Sequence, residues 1–194
     1  MQSDGLSVKM ESVTNDLSVF ERRYNLKKTR QMTYAALFLA VSVILPSIFH
    51  MSGIDGRIFL PMHLPILLSG FFLSPPMAFL IGFLAPFLNS FATGMPVLFP
   101  IAVIMSVELG IYGLATSIIS GGKRRMPIAS LIAAMVAGRL AAGLVVYVLA
   151  LFFGVQINPV IYLQAAVLTG IPGIAIQLII IPLLLKYLKK NIDL

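Results

Sequence analysis

Hydrophobic positions along this chain run in unbroken blocks, without the alternation of a half-buried strand or the single stripe of a surface helix. Beyond residue 31, polar residues gather mainly at the ends of six apolar segments, near residues 32–49, 58–73, 77–91, 97–119, 127–153 and 160–187. A helix that crosses a bilayer needs about 20 predominantly apolar residues. The second segment is short for that task. It is divided from the third by Ser74-Pro75-Pro76, a break enforced by proline, which removes a backbone donor and fixes φ. The pattern predicts an all-α membrane protein with six transmembrane helices over residues 32–190. A polar tail, residues 1–31, precedes them.

Lysine and arginine predict the orientation. Three basic clusters occur: residues 22–30, Lys123-Arg124-Arg125, and Lys186 with Lys189 and Lys190. With six spans, all three fall on one side of the membrane. The positive-inside rule makes that side the cytoplasm, so both termini are expected there and the loop 50–57 outside. In that loop Arg57 is offset by Asp55. The tail mixes four acids (Asp4, Glu11, Asp16, Glu21) with six bases (Lys9, Arg22, Arg23, Lys27, Lys28, Arg30), and has no apolar core of a secretory signal.

Composition narrows the function classes. Only 11% of residues are charged and 59% are hydrophobic, against about 25% charged in soluble domains. The net charge of +7 lies in juxtamembrane runs, which is a topology signal, and no nucleic-acid partner is expected. There is no cysteine and there are two histidines, so neither a thiol nucleophile nor a metal cluster is expected. The chain lacks a P-loop, a Gly-x-Ser-x-Gly elbow and a His-Glu-x-x-His pair, so no ATP site, hydrolase site or catalytic set is expected, and no cofactor.

Two full charges sit deep in the apolar body, Glu108 in the fourth segment and Arg139 in the fifth. A charge at the bilayer centre costs roughly 2.5–3.5 kcal/mol on insertion scales, so two of opposite sign at similar depth predict a buried ion pair. The pair fixes helix register, reaches a ligand, or does both. A second set of polar residues lies at the predicted outer depth: His63, Asn89, Thr93, Tyr147, Tyr162 and Gln164. They are expected to line a cup open to the outside, with Arg139 at its floor. For His63, a hydrogen-bonded residue at a kink is the competing reading, because Pro61 and Pro65 flank it. Ala134, Gly138 and Ala142 recur at i, i+4, i+8, as do Ala133, Ala137 and Ala141, a spacing that lets helix backbones approach closely. Ala36 and Ala40 form a shorter version on the first segment.

The stretch 60–119 contains Leu-Pro-Met-His-Leu-Pro-Ile-Leu-Leu-Ser-Gly-Phe, Gly-Phe-Leu-Ala-Pro-Phe-Leu-Asn-Ser, Thr-Gly-Met-Pro and Met-Ser-Val-Glu-Leu-Gly-Ile-Tyr-Gly-Leu. With the Ala36-x-x-x-Ala40 pattern and Gly138-Arg139, it resembles the substrate-binding S components of energy-coupling factor (ECF) transporters. The resemblance implies a multi-pass protein of a prokaryotic cytoplasmic membrane, surrounded by lipid, that binds a vitamin or related micronutrient from outside. It also implies partners: a transmembrane coupling protein, which Ala36 and Ala40 would meet, and two cytoplasmic ATPases. The residues alone leave two alternatives. A self-sufficient small transporter or channel would need a polar path, and the cytoplasmic halves hold little beyond Gln177. An intramembrane enzyme would need a nucleophile and base.

Overall fold

In the computed structural model, residues 28–53, 56–121 and 127–191 are described, and among them the chain is helical, with no strand. Among the described residues, seven α-helices follow one another: α1 (Lys28–Met51), α2 (Gly56–Phe59), α3 (His63–Ser69), α4 (Pro75–Thr93), α5 (Val103–Ser120), α6 (Pro127–Phe153) and α7 (Pro159–Asn191). A π-helical turn, Leu98–Ala102, leads into α5. Five helical stretches are long and apolar enough to cross a membrane: those of α1, α4, α5 with its π turn, α6 and α7. The polar tail up to residue 27 lies outside the described residues, as do 54–55, 122–126 and 192–194.

The short second segment departs from a single helix. It splits into α2 and α3 around Leu60-Pro61-Met62. Leu60 adopts φ +50°, a left-handed conformation that costs a bulky residue about 1–3 kcal/mol. Pro61 cannot donate a helical hydrogen bond, so the chain turns here instead of continuing. The double proline that separates the second and third segments starts a helix: Ser74 is the N-cap of α4, and Pro75 and Pro76 occupy its first turn, where a missing N–H is harmless. Gly94 ends α4 in the left-handed region, its N–H bonded to the Ser90 carbonyl.

Helix α5 is the centre of the bundle. It packs against α4 on one side, α6 on another, and α3 across the middle. Helix α1 lies against α3 and α4, whereas α7 lies against α6 and the short α2. A main core of Ile66, Leu67, Leu73, Ala78, Ala85, Leu109, Leu131 and Ala134 is fully buried between these helices. A smaller cluster of Ile104, Ala142, Val146 and Leu149 joins α5 to α6, with Tyr162 packed on it. Large apolar side chains on the outer faces of α1, α6 and α7, including Leu37, Ile44, Leu140, Leu144, Leu168 and Leu183, are exposed, as expected of surfaces that face lipid tails.

Candidate functional site

Glycines set the distances on which the site depends. A Cβ placed on Gly82 of α4 would collide with the Leu109 carbonyl of α5, and one on Gly113 would collide with the Ala78 carbonyl. These two helices therefore touch backbone to backbone. On the opposite face of α5, the Tyr112 ring occupies the space that a side chain at Gly138 would need, and the Glu108 carbonyl lies 2.9 Å from that Cβ position. The missing side chain at Gly138 brings α6 close enough for its neighbour Arg139 to cross the seam. Ala134, Gly138 and Ala142, the small-residue stripe, are all buried in this interface, whereas Ala133 is exposed.

Across it, Arg139 Nη1 lies 2.9 Å from Glu108 Oε1. Tyr112, one turn along α5, donates its hydroxyl to the same oxygen at 2.8 Å. The His63 Nε2 atom, at the first position of α3, is 3.9 Å from Oε1, beyond hydrogen-bonding reach. Its ring meets the Tyr112 ring edge-on at 5.6 Å. Arg139 Nη2 points to α7 and the Ala166 carbonyl, 3.4 Å away. Tyr162, part-buried at the start of α7, packs nearby on the cluster of Ile104, Ala142, Val146 and Leu149. Glu108 is 1% and His63 4% exposed, while the Arg139 side chain retains 13%. Three helices thus deliver a carboxylate, a guanidinium, an imidazole and a phenol to one locus. The His63 Nδ1 atom in that locus is buried without a hydrogen-bond partner, which is uncommon for a polar atom in a folded interior.

The turn that presents His63 is gripped by α7. Gln177 is buried and its amide nitrogen donates to the Leu60 carbonyl at 3.2 Å. Gly173 lies directly on the backbone of Ile58 and Phe59, and Gly170 on the Leu60 side chain. Gly170, Gly173 and Gln177 are three and four residues apart, so they form one face of α7. Sequence reasoning noticed Gln177 only as an isolated inner polar residue; its partner is 117 positions away and carries no side-chain signal.

The remaining outer polar residues do not converge on that locus. Asn89 is fully buried on the α1–α4 seam, where its amide donates to the Ser42 and Ala85 carbonyls, each at 3.0 Å. Thr93 caps the end of α4, its hydroxyl bonded to the Asn89 and Met95 carbonyls. Tyr147 is 53% exposed on α6, and Gln164 is exposed on α7. One depth is not one place: a helix turns about 100° per residue, and these residues point in different directions. Of the residues assigned to the cup, His63 and Arg139 meet, both at Glu108. Tyr112, which joins them, was read in the sequence only within the family-like stretch. Ala36 and Ala40 are exposed on α1, beside the exposed Leu37, Val41 and Ile44. Of the first outer loop, Asp55 and the Arg57 side chain lie outside the described residues.

A family model described as "ECF transporter, substrate-specific component" matches residues 30–185. The chain belongs to that family. The match spans α1 to most of α7, so every residue of the polar locus falls inside it. No curated protein and no solved structure matches significantly. Membership of the family, together with the five apolar helices, makes the chain a multi-pass membrane protein with a substrate-specific role in transport. For this S component the family implies a small-molecule substrate and association with an ECF module.

Proposed function

We propose that this S component binds a vitamin or related micronutrient from the outer side of a prokaryotic cytoplasmic membrane and passes it inward as part of an ATP-driven ECF transporter. The family match over residues 30–185 carries the reading. The substrate site is the locus of His63, Glu108, Tyr112 and Arg139, because buried, incompletely partnered polar groups from several helices are the membrane counterpart of a ligand pocket. Asn89 and Thr93 act as ties within and beside α4, and Tyr147 and Gln164 contribute little.

The chain crosses the membrane six times in this reading, with α2 and α3 together forming a broken second crossing buried among the other helices. Non-helical backbone is tolerated at that depth when protein covers it. Both termini then lie in the cytoplasm, with the three basic clusters. Cysteines introduced at the exposed positions Thr29 and Ser52 test this: an impermeant thiol reagent applied to whole cells labels position 52 and spares position 29.

Energy comes from partners, a coupling protein in the membrane and two cytoplasmic ATPases. The exposed Ala36–Ala40 surface of α1 is where the coupling protein docks, since small residues allow close helix approach. An affinity-tagged chain purified from its own host brings these three proteins with it. Ala40→Leu leaves substrate binding intact and abolishes uptake. Uptake at full rate by the chain alone in proteoliposomes would overturn this assignment in favour of a self-sufficient transporter.

A further inference from the structure

The charges of the polar locus restrict what can enter it. Glu108 and Arg139 neutralise each other at 2.9 Å. Tyr112 is a phenol, uncharged at neutral pH, and His63 stands 3.9 Å from the carboxylate, so with a neutral imidazole the whole locus has no net charge. A ligand anion drawn to Arg139 would face Glu108 across the same guanidinium. It would leave two negative charges against one positive, buried where an unbalanced charge is costly. A ligand cation drawn to Glu108 meets the mirror-image problem.

The locus nonetheless has polar capacity to spare. Tyr112 and Arg139 converge on one oxygen of Glu108. Arg139 has five N–H donors, of which Glu108 and the Ala166 carbonyl engage one nitrogen each. The Nδ1 atom of His63 is buried and unpartnered. A carboxylate beside a guanidinium offers an acceptor and donors side by side. Two flat rings, those of His63 and Tyr112, stand beside them.

We propose that the substrate of this S component is uncharged at neutral pH, a flat nitrogen heterocycle or its carboxamide whose amide-type edge donates to Glu108 and accepts from Arg139. An amide edge presents one donor and one acceptor about as far apart as adjacent atoms of the ion pair. It therefore uses both charges without separating them. This inference rests on the binding role given to the locus above, but it can fail alone.

The test is competitive retention. The purified protein in detergent is incubated with a small-molecule extract of its expression host, supplemented with matched pairs at equal concentration. The pairs are nicotinamide with nicotinate, uracil with orotate, and riboflavin with its 5′-phosphate, and biotin and pantothenate are added as anions. Unbound material is removed, and what the protein retains is identified by mass spectrometry after denaturation. The expected result is a retained molecule of zero net charge with an amide-type edge, preferred over its charged counterpart by at least about tenfold, or 1.4 kcal/mol. Tyr112→Phe, which removes the hydroxyl bonded to Glu108, should weaken its retention severalfold in protein that still melts cooperatively. Retention of a carboxylate or phosphate would overturn the charge assignment and leave the transport role standing. Unaltered retention by Tyr112→Phe would place the ligand away from this locus and overturn the proposal too. Retention of nothing would overturn both the proposal and the binding role beneath it.

Discussion

The seam between α4 and α5 and the seam that α7 makes with α2 and α6 hold by different means. Between α4 and α5, Gly82 and Gly113 let carbonyls and Cα atoms meet, and Gly110 seats the Phe79 ring. No charged group takes part in these contacts. Along α7, close packing of Gly173 on Ile58 and Phe59 is joined by polar ties: Arg139 to the Ala166 carbonyl and Gln177 to the Leu60 carbonyl. In a bilayer, lipid tails are as apolar as leucine, so helices gain nothing from hiding apolar surface against each other. A seam then needs either very close packing or hydrogen bonds. This molecule uses the first to build a fixed slab and adds the second on the side where the site lies. Close packing fails when a side chain is added; polar ties fail when one partner is removed.

The largest expected effect comes from cutting the polar side at its charge. Arg139→Met leaves Glu108 buried with no cation, and should destabilise the protein by about 3–5 kcal/mol, read as a loss of thermal stability in detergent. Glu108→Gln should act in the same direction. Because the two residues share one interaction, the double variant should be milder than the sum of the singles. Strictly additive melting shifts would mean that the pair contributes no coupling.

Next comes the slab. Gly82→Leu forces side-chain atoms against the Leu109 carbonyl, which belongs to a helix backbone and cannot swing aside. Overpacking typically costs about 1–3 kcal/mol, and here the loss should be at the upper end of that range. The same change at Gly154, a loop glycine with open space around its Cβ position, should be limited to the strain of its positive φ. Equal losses at the two positions would dissolve the distinction between a steric seam and the rest of the chain.

The smallest effect on stability is expected at Gln177. Gln177→Leu removes one neutral hydrogen bond, worth about 0.5–1.5 kcal/mol, and frees the Leu60 turn to leave its left-handed conformation. Amide exchange measured by mass spectrometry should rise in residues 58–63 and stay unchanged in α4. Substrate retention should fall more than stability does, since His63 follows that turn directly. Exchange that rises equally in both regions would show that α7 supports the whole bundle and not the site alone.

Much of this was legible because membrane insertion is read from local composition. The all-helical class, the extents of the long helices and the deep placement of Glu108 and Arg139 depend on runs of side chains, and the fifth segment coincides with α6 from Pro127 to Phe153. Even the small-residue stripe around Gly138 could be seen, since its period matches the helix. What the sequence could not supply was rotation about each helix axis. Asn89 and Tyr147 stand at the same predicted depth as His63, yet one turns into the α1–α4 seam and the other outward. That choice belongs to packing: where Gly82 and Gly113 let α5 press on α4, the rotation of α5 is fixed, and with it the direction in which Glu108 points. The break at Leu60 shows the same division. Pro61 announced that a helix would be interrupted, but the conformation of the turn and its hold by Gln177 arise only when α7 is laid against it, because a backbone carbonyl has no letter in the sequence.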